Sequence, residues 1–454
     1  MTWADFANKK VGLLGAGIEN IALIPHLLKA GARVTVCNQV ETAATDQLKD
    51  QGVELAVGED YLNNLGQFDY VFRIAGMPTA AVDEALKGLD KKPAVTSPTD
   101  LFLALRPCHL IGVTGTKGKG TTSTFIGCIL EAAGKKVFVV GNIGRAMFEI
   151  YNELTPESYV VVELSSFQLE DVTNSPEIAV VLPVTEDHLQ PVSTVNPNFH
   201  PTVLHYQAAK ANITAFQNPT DLLVYAADSK TAAEIARDSS ARQISVGTKL
   251  ADLIVSPTGE IRADEKVLLN LKQMGLSGDH IFLNATIAVA VAREIGCDSA
   301  EIEQGLRNFQ PLPHRMETFA TRDGVTFVDD SYATNPTATM AALTAFTQPI
   351  ILILGGASIG ADFKELAEAV TNSSVKTIVL IGQEAARLRE NLQAAGFGGN
   401  VTDATLIDDA VEKAIQASSS GDVVLLSPAC KSFDMFKNAS DRGEQFKRAV
   451  SKHD

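Results

Sequence analysis

The order of apolar and polar positions divides the chain into alternating strands and helices. Apolar runs at residues 11–14, 33–37, 70–74, 110–113, 136–140, 159–163 and 178–183 have the continuous pattern of parallel strands covered on both faces. Between them, residues 21–29 and 121–133 carry apolar side chains at the spacing of one helix face, and the second of these stops at Gly134. Further helices are predicted over 203–216 and, rich in Ala and Val, from near Asn284 to Gly296. Beyond residue 313 the alternation returns, with strands at 326–328, 350–354, 377–381 and 423–426 and helices starting near 339, 362, 383 and 408. Strand followed by helix, repeated, predicts an α/β protein built on mostly parallel sheets, with ligand sites at the carboxyl ends of the strands. Arg106-Pro107 and Pro311-Leu-Pro313 mark boundaries, so three domains are expected at 1–107, 108–312 and 313–454.

Composition changes this picture little. A chain of 454 residues needs more than one core, and 45% hydrophobic with 20% charged residues is enough to bury several. The formal net charge of −16 argues against a nucleic-acid surface while leaving room for a local basic pocket. Cys37, Cys108, Cys128, Cys297 and Cys430 form no C-x-x-C pair, which speaks against a disulfide framework or a thiolate zinc site. No basic, apolar leader opens the chain, and no apolar run is long enough to span a bilayer. A cytoplasmic monomer with neither nucleic acid nor membrane as partner is expected.

Candidate chemistry gathers at the strand ends. Residues 109–122 run from an apolar strand through a glycine-rich turn into a helix. Gly115, Gly118 and Gly120 allow the tight turn in which successive N–H groups and a helix N-terminus face one anion. With Thr116, Lys117 and the charge of Lys119 this is a cradle for the phosphates of a nucleoside triphosphate, and Thr121 or Thr122 is placed to ligate the accompanying magnesium. Gly120 occupies the usual Ser/Thr position, so the hydroxyl is displaced by one residue. Glu163 leaves a buried strand where an ATPase keeps a magnesium ligand, and Thr185-Glu-Asp-His188 presents a histidine in the same way. Lys210 lies in a mostly apolar helix. On that pattern alone a solvated lysine is the simpler reading, whereas a buried neutral lysine can add carbon dioxide to become an anionic carbamate.

Near the N-terminus, Gly15-Ala16-Gly17 makes a Rossmann-like turn and Asn38 occupies the place of a ribose-binding acid. Asn20 replaces the third glycine, which disfavours NAD and leaves a nucleotide-diphosphate sugar or plain strand–helix packing. In the third segment, residues 329–335, 355–360 and 427–434 lie at strand ends.

Together these motifs resemble the Mur ligase family. The marks are Gly115-Thr-Lys-Gly-Lys119, Glu163-Leu-Ser-Ser-Phe-Gln-Leu-Glu170, Glu186-Asp-His188, Ala208-Ala-Lys210, His314-Arg315, Asp330-Ser331 with Ala333-Thr-Asn335, and Ser427-Pro-Ala-Cys430 with Ser432-Phe-Asp-Met-Phe436. They follow the family's order across nearly the whole chain. The resemblance implies a Rossmann-like domain at 1–107 that binds UDP and a P-loop ATPase domain at 108–312. It implies at 313–454 a second Rossmann-like domain, which closes over ATP and receives the amino acid. The implied activity is an ATP-dependent acid–amino-acid ligase of peptidoglycan precursor synthesis. ATP phosphorylates the carboxylate of UDP-N-acetylmuramoyl-L-alanine, and the amine of D-glutamate then displaces phosphate from the acyl phosphate.

Residue roles follow from the same resemblance. Lys119 would hold the terminal phosphates, Thr121 and Glu163 one magnesium ion, and His188 with a carbamylated Lys210 a second; Lys119, His188 and Lys210 form the implied catalytic set. Gly15, Ala16, Gly17 and Asn38 would bind the UDP portion, and Asn142, Ser165, Ser166 and Gln168 the muramoyl-alanine end. Asn284, His314, Arg315 and Asp330 would take adenine, ribose and phosphate, and Thr334 and Ser432 the amino acid. Four positions depart from the pattern. Gly120 matches folylpolyglutamate synthases of the same superfamily; Tyr332 stands for a lysine, Ile359 for a basic residue that meets the amino-acid carboxylate, and Ala439 for an aromatic. The stretch from His188 to Lys210 is also longer than usual. The same chemistry with a different amino acid, or a folylpolyglutamate-synthase-like ligase, is the alternative. A nucleotide binder without catalysis is disfavoured by retention of Lys119, Glu163, His188 and Lys210.

Overall fold

The first apolar runs pair into a five-stranded parallel sheet in the order Glu54–Val57, Arg33–Asn38, Lys10–Leu14, Tyr70–Arg73 and Ala94–Thr96. This is a computed structural model that describes residues 1–40, 48, 52–141, 145–187, 189, 198–310, 313–358 and 361–453. It divides into two compact units, Met1–Phe309 and Gln310–Asp454. Val11, Leu13, Val34, Val36 and Phe72 are buried, as expected of strands covered on both faces. Asn20 explains the missing third glycine: its buried amide donates to the carbonyls of Leu14 and Gly15 at 3.3 and 2.9 Å and so straps helix Ile18–Lys29 to the strand before it.

The same unit holds a nine-stranded sheet in the order Lys266–Asn270, Glu260–Ala263, Leu253–Val255, Arg242–Gly247, Leu222–Ala226, Ile178–Val181, His109–Thr114, Tyr159–Glu163 and Val137–Gly141. Pairing is parallel from Val137–Gly141 to Leu253–Val255 and antiparallel across the last two strands. Helix Lys119–Ala132 packs under this sheet between helices Asp279–Ile295 and Ser299–Asn308, and Phe125, Ile126, Ile129, Ile287, Val291 and Leu306 form part of one core.

The second unit carries a six-stranded sheet in the order Glu317–Arg322, Val325–Asp329, Val423–Leu426, Ile350–Gly355, Val375–Ile381 and Asn400–Ala404. Only the first pair is antiparallel, a hairpin closed by Asp323 and Gly324 at φ +49° and +77°. The chain ends in helix Ala439–Ser451, capped where the Asn438 side chain accepts the N–H of Asp441 at 2.8 Å. Its Arg442 is fully buried: Nη2 and Nε donate to the carbonyl and hydroxyl of Ser331 at 2.7 and 2.9 Å, and Nη1 to the carbonyl of Cys430 at 3.1 Å.

Gly305 fixes how closely helix Ser299–Asn308 approaches helix Lys119–Ala132, since a Cβ there would stand 2.3 Å from Ile129 Cα and 2.7 Å from its nitrogen. Backbone cannot move aside as a side-chain tip can. Gly305→Ala is expected to destabilise the first unit by about 2 kcal/mol or more, read as a lower thermal unfolding midpoint; an unchanged midpoint would mean the two helices separate freely.

Candidate active site

Strand His109–Thr114 lies between Tyr159–Glu163 and Ile178–Val181, so the loop leaving it is flanked by the carboxyl ends of both neighbours. Gly115 turns at φ +152° against Leu182, whose Cβ would be 2.5 Å from a Cβ on residue 115. Gly118, at φ +85°, caps helix Lys119–Ala132 and lies against the Asn284 amide, whose Oδ1 would be 2.7 Å from an added Cβ. Both positions demand glycine by conformation and by space. Lys117 is exposed at the tip. The Thr116 hydroxyl stands 2.9 Å from the Tyr206 hydroxyl and accepts the N–H of Thr185, also at 2.9 Å.

Two lysines meet on one carbonyl. Lys119 Nζ donates to the Gly115 oxygen at 3.2 Å and to that of Thr116 at 3.1 Å, while Lys210 Nζ donates to the same Gly115 oxygen at 2.8 Å. Lys210 is 2% exposed and lies over the Tyr206 ring at 4.8 Å. Burial drives its amine far below the usual lysine range, and the charge of Lys119 pushes the same way, against the opposing pull of Asp187 and Glu163. The lysine is therefore a core group of the phosphate loop, not a solvated one. Tyr206 escaped the sequence reading, although it precedes Lys210 by one helical turn and so shares its face.

The hydroxyls of Thr122 and Ser123 are buried in the first turn of the helix, and neither has a hydrogen-bond partner among the described residues. Such groups are rare in native interiors, and here they lie at a helix N-terminus. Thr121 is half-buried beside them, Gly120 is buried, and Glu163, at the end of its strand, is 3% exposed. His188 and Asn142 lie outside the described residues.

The remaining predicted residues of this unit are tied to one another. The Ala16 N–H donates to Asn38 Oδ1 at 3.1 Å, and Gly15 turns at φ +92° against Ile74. Gly17 caps helix Ile18–Lys29. Ser165 and Gln168 cap helix Ser166–Leu169 reciprocally, at 3.2 and 2.9 Å. The Gln168 amide reaches the Glu19 carboxylate at 2.6 Å, and Ser166 Oγ lies 2.9 Å from His200 Nε2. Beside them runs Arg73, 1% exposed, with Nε on Asp171 at 2.8 Å, Nη2 on the Phe167 carbonyl at 3.1 Å and Nη1 on the Met77 carbonyl at 2.6 Å. Arg73, Glu19 and His200 were not singled out from the sequence; an arginine closing an apolar strand was the available signal.

In the second unit, His314 Nδ1 lies 2.6 Å from Asp329, and the His314 N–H donates to Glu317 at 2.7 Å. Glu317 also holds Lys447 at 2.6 Å, so these acids form a hydrogen-bonded ion network. Asp330 accepts the Ser427 hydroxyl at 2.8 Å and the Met316 N–H at 3.2 Å, and burial raises its carboxyl to about 6. The Arg315 guanidinium covers the Tyr332 ring at 5.1 Å, and the Tyr332 hydroxyl meets Ser440 at 2.9 Å. Thr334 is half-buried, and Ser432 is buried with its carbonyl accepting the Phe436 N–H at 2.8 Å. The Ala439 carbonyl accepts the Ser331 hydroxyl at 2.8 Å. Ile359 lies outside the described residues.

Comparison with known proteins accords with this geometry. Residues 113–292 match the Mur ligase middle domain, and residues 314–430 match the glutamate ligase domain of Mur ligases. The chain is 36% identical to the UDP-N-acetylmuramoylalanine–D-glutamate ligase of Symbiobacterium thermophilum, over 97% of this chain and 98% of that protein. It is also 36% identical to the protein of the same name in Desulfitobacterium hafniense, over 98% of each. Among solved structures, the UDP-N-acetylmuramate–alanine ligase MurC of Thermotoga maritima shares the fold at a TM-score of 0.62, with 19% identity over 98% of this chain and 100% of that one. The MurF ligase of the same organism, solved with ADP, follows at 0.57, with 17% identity over 100% and 97%. With both halves of its motif set matched and nearly its whole length aligned at this identity, the chain belongs to the Mur ligase family.

Proposed function

We propose that the chain is an ATP-dependent amide ligase that adds D-glutamate to UDP-N-acetylmuramoyl-L-alanine through an acyl phosphate, in the cytoplasmic synthesis of peptidoglycan precursors. The observation that carries this reading is the buried Lys210, held with Lys119 on the Gly115 carbonyl of a phosphate loop, in a chain whose curated relatives bear that name. A nucleotide-binding loop alone needs no second, desolvated lysine. Among the described residues no helix is long and apolar enough to cross a membrane.

A carboxylate resists attack by an amine because it is an anion with no leaving group, and phosphorylation by ATP supplies one. Residues 115–122 would bind the ATP phosphates through their N–H groups and the helix N-terminus, and Lys119, resting on two loop carbonyls, has the flexible stem to follow the terminal phosphate. The buried hydroxyl of Thr122, with Thr121 and the carboxylate of Glu163, suits a magnesium ion, and His188 with a carbamylated Lys210 would hold a second. Bound magnesium supplies charge neutralisation for the transferring phosphoryl group. For the carbamate, the neutral Lys210 amine adds to carbon dioxide, forming an N–C bond and releasing one proton. That exchange places an anion beside Lys119, which attracts it.

The substrate ends follow the same reading. Domain 1–107, with Gly15, Ala16, Gly17 and Asn38, would take the UDP group, and Asn142, Ser165, Ser166 and Gln168 of domain 108–312 the muramoyl-alanine end. Asn284, together with His314, Arg315 and Asp330 of domain 313–454, would contact the nucleotide, and Thr334 and Ser432 the amino acid.

Phosphate release from ATP with UDP-N-acetylmuramoyl-L-alanine should be stimulated by D-glutamate across a panel of D- and L-amino acids; stimulation by another amino acid or only with a folate acceptor would overturn the assignment. Lys210→Ala should lose about a hundredfold or more in amide formation, with partial recovery in formate or acetate, and a normal rate in the untreated variant would exclude the carbamate. Asp330 offers a pH test. Its folded pKa of about 6 exceeds the unfolded 3.8, so the stability it contributes is complete below pH 3.8 and is lost as pH rises through about 6. The melting-temperature advantage of Asp330→Asn over the parent should therefore widen by about 2–4 °C between pH 5 and pH 7.5, whereas a constant gap would show that the ionised carboxylate is not penalised.

A further inference from the structure

Burial has withdrawn several lysines and arginines of the second unit from water, and nearly all have their charge answered. Lys376 holds Asp422, Arg389 holds Asp403, Lys413 holds Asp409 and Lys447 holds Glu317. Arg322 and Arg442 donate to main-chain carbonyls. Lys431 differs. It is half-buried, and among the described residues its Nζ has neither a carboxylate within ion-pair reach nor a hydrogen bond; burial lowers its amine below the usual lysine range with no charge acting on it.

The backbone of Lys431, by contrast, is firmly held. Its carbonyl accepts the Ala357 N–H at 2.8 Å and Arg442 Nη1 at 3.2 Å, and it pairs with Ala357 across an antiparallel bridge. The Gly355 N–H donates to the Pro428 carbonyl at 2.8 Å. Between them Ala429 is buried at φ +56°, a conformation that a residue with a Cβ adopts only under constraint. Gly356, at φ +147°, lies so close that an added Cβ would be 2.3 Å from the Lys431 oxygen. The turns after strands Val423–Leu426 and Ile350–Gly355 are thus fastened back to back at the carboxyl edge of the sheet, where α/β domains bind ligands, and Lys431 emerges from them beside Ser432.

A cation held partly out of water without a partner is costly, and an arriving anion offsets that cost. Tyr332 offers a phenol rather than an ammonium, with its hydroxyl on Ser440 and its ring under Arg315. We propose that Lys431 receives a carboxylate of the incoming amino acid, supplying the cation that Tyr332 and Ile359 do not. The proposal rests on the amide-ligase reading given above and names the specificity residue of its last substrate.

The test titrates D-glutamate, ATP and UDP-N-acetylmuramoyl-L-alanine separately in parent, Lys431→Ala, Lys431→Gln and Lys431→Arg enzymes, with thermal unfolding alongside. Loss of one charge-assisted hydrogen bond should raise the KM for D-glutamate by about 10- to 100-fold in the Ala and Gln variants, leave the other two KM values within about twofold, and be partly rescued by Arg. An unchanged D-glutamate KM in a variant that melts with the parent overturns the proposal, as does an equal loss on all three substrates. Lys431→Gln keeps the aliphatic stem in place and decides the matter if the Ala variant unfolds. Parent turnover is measured first: without D-glutamate stimulation the functional reading falls by itself. The variants are then titrated with whichever amino acid does stimulate, and unimpaired use of it overturns the role of Lys431.

Discussion

The central site depends on one carbonyl oxygen, that of Gly115, because it receives two lysine amines at once. A carbonyl can satisfy two donors, but burial disfavours the charged form of the deeper lysine and the charge of its neighbour adds to that, which holds its amine well below the usual lysine range. Lys210 is that one. Around it stand the Tyr206 ring against its Nζ, the Thr114 hydroxyl at 3.4 Å, and strand His109–Thr114 held between two partners. The same oxygen that orders the phosphate loop therefore also holds within it an amine whose protonation is disfavoured.

Two buried arginines organise the rest, and both do so by donating chiefly to main-chain carbonyls. Arg73 ends a strand of the first sheet and closes on the Met77 and Phe167 carbonyls, with Asp171 as its countercharge. Among the described residues Arg442 has no carboxylate in hydrogen-bond contact and is held instead by Ser331, Cys430 and Lys431; burial lowers it to about 10. A guanidinium whose donors fan out in a plane can hold several loops at fixed spacing, which a lysine cannot.

Most of the architecture was legible because parallel strands covered on both faces write themselves as unbroken apolar runs. Elements at the margins of sheets do not. Glu317–Arg322 and Asn400–Ala404 form the two edges of their sheet and alternate or mix polar residues, so no apolar run marks them, although Asp323-Gly324 carried a hairpin signal. Helix Ala439–Ser451 is largely polar, with Phe446, Ala449 and Val450 as its apolar stripe. At the site, glycines and hydroxyls announced the phosphate loop, but the burial of Lys210 could not be read from its own helix. It arises from strands and a tyrosine brought together by the sheet. The bond between Gln168 and Glu19 was hidden for the same reason, being made across 149 positions of sequence.

The strand order of the second unit also bears on how the chain is made. Val423–Leu426 lies between Val325–Asp329 and Ile350–Gly355, so the strand that joins the two halves of the sheet is the last of the six to be synthesised. The helix carrying Arg442 comes later still. During synthesis the earlier strands must wait with unpaired edges, and the loops that Arg442 gathers have no anchor until helix Ala439–Ser451 has been made. A chain cut before helix Ala439–Ser451 would leave the loops after two neighbouring central strands without their common tether.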